Sequence, residues 1–92
     1  MISHYRKVMD ESRIKCDGNA LTVLVILALE SNDQCDPICI RVLARMARID
    51  VRVAHNCLRM LRLQGWVKQV PYQHVEGAGS PPSQWYLSEE LR

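Results

Sequence analysis

The sequence predicts a mainly α-helical fold that closes with a small β-hairpin. Three observations predict it. An apolar stretch, LTVLVILALE, occupies 21–30, and two amphipathic patterns, PICIRVLARMARID and VRVAHNCLRMLRLQGWV, follow back to back from Pro37 to Val67. Two short runs rich in β-branched and aromatic residues, Trp66 to Val70 and Gln84 to Leu87, then flank the Gly- and Pro-bearing loop EGAGSPPS. Helical spacing of apolar residues and alternation bounded by turn residues are different periodicities, so the two kinds of element separate along the chain.

The elements follow in order. In the first sixteen residues, Ile2, Tyr5, Val8 or Met9 and Ser12 are spaced for one face of a helix, while Arg6, Lys7, Asp10, Glu11 and Arg13 stay wet. Such a helix either folds back on its own core or pairs with the same helix of a second chain, so residues 1–17 form a candidate dimerisation element and 18–92 the main domain. Cys16-Asp17-Gly18-Asn19 breaks the pattern and offers Asp17 or Asn19 as an N-cap. Ala20 to Ser31 is apolar on nearly every side, and its length and capped start favour a central helix over a buried strand. A second helix is expected from Pro37, a good first-turn residue with Asp36 as its cap, to Ala47. On it Arg41, Arg45 and Arg48 line one side, and Ile40, Leu43, Ala44 and Ala47 the other. Arg48-Ile49-Asp50 is the turn. Asp50 caps a third helix that runs to Gln64, and Gly65 closes it at the position that favours a left-handed residue.

That third helix carries the chemistry. One face presents Arg52, His55, Asn56, Arg59 and Arg62, and the opposite face presents Ala54, Cys57, Leu58 and Leu61. The net charge of the 92 residues is only +2, yet Pro37 to Lys68 holds seven basic residues against the single acid Asp50. The distribution therefore argues for an anionic partner where the sum does not. Three helices followed by a two-stranded hairpin make a winged helix-turn-helix.

LARMARIDVRVAHNCLRMLRLQGWV also resembles the pattern of winged-helix DNA-binding proteins, in which Leu43-Ala44 opens a short helix and Asp50 starts the recognition helix. Leu58, Leu61, Gly65, Trp66 and Val67 then lead into the wing. The chain is similar in particular to the winged helices of phage and plasmid replication proteins and of small transcription regulators. In those an apolar first helix precedes a Pro-led second one, and the wing ends in a Tyr-x-Leu-like strand, here Trp85-Tyr86-Leu87. The resemblance spans Leu21 to Leu87 and departs at Arg48, where glycine is common. It implies sequence-specific binding of double-stranded DNA and transcriptional regulation. The alternatives are the DNA-binding module of a replication protein and a winged helix that binds protein.

A helix of this diameter enters the major groove, with the outward side chains of its N-terminal half at the base edges and more distant cations on phosphates. Val51, Arg52, His55 and Asn56 are the expected base-proximal set. Arg52 can grip guanine and Asn56 adenine, each with two hydrogen bonds. Arg41, Arg45 and Arg59 are expected on phosphates, with Lys68 and His74 as the only cations of a wing that also carries Glu76. A half-site of this size calls for a homodimer. Trp66 and Trp85 read as core packing and not as stacking platforms.

Other classes are disfavoured. No Ser-His-acid, Cys-His or paired-carboxylate set recurs at useful spacing, so an enzyme is not expected. Cys16, Cys35, Cys39 and Cys57 lack the spacing of a zinc site, and no cofactor is implied. At least two of these thiols are expected on apolar helix faces, reduced, in a cytoplasmic protein without a leader. The longest apolar run is far short of the roughly 20 residues that a bilayer requires.

Overall fold

The computed structural model describes residues 4–71 and 82–92. Its elements are α1 (His4–Asp10), α2 (Gly18–Glu30), β1 (Ile38–Cys39), α3 (Ile40–Ala47), α4 (Val51–Leu63), β2 (Val67–Gln69), β3 (Gln84–Leu87) and the 3-10 turn η1 (Glu89–Leu91). This is a winged helix-turn-helix, mainly helical, with a small antiparallel sheet in the order β1-β3-β2.

α2 is the central helix its composition predicts. It packs against α1, α3, α4 and β3, burying Ala20, Val23, Leu24, Leu27 and Ala28. Asp17 occupies the N-cap position, although its side chain makes no capping bond. α3 contributes Ile40, Leu43 and Ala44 to the core, and α4 contributes Ala54, Leu58 and Leu61. Trp66, Val67, Trp85, Leu87 and Leu91 complete it, so both tryptophans are packing residues. Burying this many large apolar side chains, each worth about 1.5–3 kcal/mol against exposure, is what holds the helices to the sheet.

α1 folds back on this body and touches both α2 and η1. Val8 is buried, and so is His4, whose Nε2 lies 3.0 Å from the Asn32 carbonyl. Lys7 Nζ donates to the Arg92 carbonyl. Tyr5 and Met9 stay on the outside.

Three expectations are corrected. The second helix begins at Ile40 and not at Pro37, because Ile38 and Cys39 are taken up as a short strand paired with Trp85 and Gln84 of β3. A two-stranded wing would leave that edge of β3 unpaired, and β1 satisfies it. Asp36 accordingly caps no helix. Its carboxylate accepts from Asn32 Nδ2 and its N–H donates to Asn32 Oδ1, which closes the loop ahead of β1. Third, Cys57 is the one cysteine on a helix face, since Cys39 lies in β1 and Cys16 and Cys35 in loops. All four are free thiols. Burial pushes Cys16, Cys35 and Cys57 above the ordinary thiol range, which keeps them protonated and unreactive.

Candidate nucleic-acid interface

The site is built on α4, and the two ends of that helix fix its length and direction. At its start the Asp50 carboxylate accepts the Arg52 N–H at 2.8 Å, satisfying one of the orphan donors of the first turn and placing negative charge at the positive end of the helix dipole. At its end Gly65 takes φ 88°, with its N–H on Arg62 O and the Trp66 N–H on Leu61 O, both at 3.0 Å. This is the Schellman closure, sealed by burial of Leu61 and Trp66.

α3 ends in the same way without glycine. Arg48 sits at φ 58°, ψ 45°, its N–H on Arg45 O at 3.2 Å and the Ile49 N–H on Ala44 O at 3.0 Å. The left-handed conformation that the missing glycine called into question is therefore present, carried by an arginine. Ile49 packs on the core as the hydrophobic partner of the closure.

Within this frame Arg41 of α3 and Val51, Arg52, His55 and Asn56 of α4 line one groove of about 540 Å³, completed by Ile40, Pro82 and Ser83. Five of the residues singled out from the sequence are thus brought together. The Arg52 side chain is 95% exposed, and its Nε lies 4.0 Å from Asp50, so the guanidinium is tethered loosely and remains presented outward. Arg45 stands exposed one turn beyond Arg41, and Arg59 is exposed one turn beyond His55. Neither makes an ion pair among the described residues.

Lys68 is placed elsewhere. In the sheet Val67 pairs with Leu87, Lys68 with Tyr86 and Gln69 with Trp85. The Val67 and Leu87 side chains are buried toward the helices, so strand alternation puts Lys68 on the opposite, solvent face. His74 lies outside the described residues. Arg62, part of the basic face in the sequence, is engaged with the sheet, its Nη1 donating to Gln69 Oε1 at 2.9 Å.

Sequence reasoning missed Ser83 as part of the site. Its carbonyl accepts the Ile40 N–H, the first donor of α3, at 2.9 Å, and its hydroxyl accepts from Trp85 Nε1 at 2.9 Å. Only the pairing of β1 with β3 brings it to α3. The one available signal was the β-branched pair Ile38 and Ile40 around Cys39.

The fold and groove define a winged helix-turn-helix with a cationic face on α4. No protein-family model matches the chain, and no curated protein matches it. Among solved structures it is similar to ZitR from Lactococcus lactis, a zinc-responsive member of the MarR family, with a TM-score of 0.61 over 88% of this chain and 22% sequence identity. This chain covers 49% of ZitR, about half its length. What the two share is the fold. Among the described residues of this chain, no group of three or more His, Cys, Asp or Glu side chains is placed to hold a metal ion.

Proposed function

We propose that the chain is a sequence-specific double-stranded DNA-binding domain of a transcriptional regulator, with α4 entering the major groove. The observation that carries this reading is the convergence of Arg41, Arg52 and Asn56 on one groove beside the wing base, at the N-terminal half of a helix that buries Ala54, Leu58 and Leu61 in the core. ZitR is a member of the MarR family, and sharing its fold supports the regulatory reading. Arg52 and Asn56 are the base readers, with the Val51 side chain alongside for a thymine methyl. Arg41, Arg45 and Arg59 meet phosphates and set the register. One domain covers a half-site, so the working form is a homodimer, and the exposed Tyr5 and Met9 of α1 are apolar contacts available to it.

Selection of bound duplexes from a random pool, followed by titration over a range of salt, tests the reading. A single enriched motif with dyad symmetry is expected, with log K falling linearly against log[salt]. Asn56→Ala and Arg52→Ala should each relax one position by about 1–3 kcal/mol. Undetectable binding to every duplex at low salt would overturn the proposal in favour of a winged helix that binds protein. Recovery of replication components, and no operator, would move the domain to a replication protein.

A further inference from the structure

We propose that His55 and Arg62 are positioning residues. They grip the Trp85 indole between them and so set the rotation of α4 about its axis, turning Arg52 and Asn56, and not His55, toward the bases. The inference rests on the reading of α4 as the helix that contacts DNA.

Trp85 is the middle residue of the rung that crosses the whole sheet, paired with Ile38 on one side and Gln69 on the other. Its side chain is fully buried, although the sheet is small and α4 presents an otherwise polar face there. Two groups from that polar face supply part of the cover. The His55 ring meets the indole edge-on, with centroids 6.2 Å apart and planes at 78°. Arg62 Cζ stands 5.9 Å from the same ring, and its guanidinium is fastened to Gln69, the neighbour of Trp85 in register. Both geometries fall within the range of favourable aromatic and cation–π contact.

Residues 55 and 62 are two turns apart, about 10.5 Å along the helix axis. Each lies close to the one indole, so α4 meets the ring at two points along its length. The indole is itself anchored, since its Nε1–H donates to Ser83 Oγ and the Ser83 carbonyl accepts the first N–H of α3. One connected set of contacts therefore ties α3, the wing and α4 together. A roll of α4 by some 20° moves a side-chain tip at its outer radius by about 2 Å. That displacement breaks a two-bond contact to a base edge, whose bonds tolerate a few tenths of an ångström.

His55→Phe preserves the edge contact and removes every polar atom, whereas His55→Ala and Arg62→Met remove the contacts. On the duplex selected by the wild-type protein, His55→Phe should recover, relative to His55→Ala, the discrimination at the positions that Arg52 and Asn56 read. His55→Ala and Arg62→Met should lose about tenfold in discrimination at the positions that Asn56→Ala or Arg52→Ala also relaxes. Their salt slope should stay unchanged, because no phosphate contact is lost. In the free protein, hydrogen exchange of the Trp85 indole N–H should quicken in His55→Ala and Arg62→Met and not in His55→Phe. Loss of discrimination in His55→Phe at a base pair indifferent to Arg52 and Asn56 would show that His55 reads a base, and a slope lower by about one in Arg62→Met would put Arg62 on a phosphate. Either result overturns the proposal, as does indole exchange that is the same in all variants. If the wild-type protein binds no duplex, the DNA reading fails and the clamp's role in recognition fails with it, while exchange still reports whether the grip exists.

Discussion

Arg48 and Gly65 solve the same problem with opposite economy. Each ends a helix of the helix-turn-helix in the left-handed region, and each is followed by a buried or half-buried apolar residue that seals the closure. Glycine adopts that conformation freely, while a side chain crowds its own carbonyl there at a cost of roughly 1–2 kcal/mol. Part of that cost is offset because glycine loses more backbone entropy on folding. Arg48→Gly should therefore stabilise the protein by about 0.5–1 kcal/mol, seen as a higher midpoint at unchanged m-value in urea. Lower stability would mean that the arginine side chain contributes more than its backbone costs.

At the scale of elements, α4 depends on Asp50 for its start, since the Arg52 N–H has its only capping acceptor there among the described residues. Asp50→Ala should cost about 1 kcal/mol in denaturant unfolding, with the loss concentrated in fraying of the first turn, where amide exchange measures it. The link between α1 and α2 is held by a different local device. Arg13 donates through Nε and Nη2 to Glu11 at 2.9 and 3.1 Å, and its N–H donates to the same carboxylate at 3.0 Å. Its guanidinium also lies 5.6 Å from the Trp66 ring. The Arg13 hydrogen bonds hold the Glu11 carboxyl at about 2, against 4.5 ordinarily. A depressed folded-state value means that the contribution is complete above about pH 4.5 and disappears as pH falls toward 2. The stability difference between wild type and Glu11→Gln should shrink over that window. Because the Arg13 side chain is largely exposed and Glu11 is only half-buried, added salt should diminish the difference above that window. A difference that is constant from pH 7 to pH 2 would show that the carboxylate charge is irrelevant to the link.

For the whole molecule, the arrangement of charge matters more than its amount. Arg41, Arg45, Arg52 and Arg59 share the α3 and α4 surface, while Lys68 stands on the far face of the sheet. Arg59→Ala should lower the salt slope of duplex binding by about one, and Lys68→Ala should leave it unchanged, although the two substitutions remove the same formal charge. Equal effects would mean that binding follows net charge and not geometry.

The sequence by itself determined the helices, their apolar faces and the direction of the basic one, because helical periodicity is a local property that Leu58, Leu61, Arg52 and Asn56 display without reference to any partner. It also marked Arg48 as the place where the turn would be unusual, since the alternative to glycine is visible in one residue. Tertiary structure alone decided that Ile38 and Cys39 pair with β3, that the Ser83 carbonyl takes the first N–H of α3, and that His55 and Arg62, while still exposed, lie against the Trp85 indole. Each of these depends on a partner more than 15 residues away in the chain, and local periodicity carries no information about which distant strand edge or aromatic ring will fold against it.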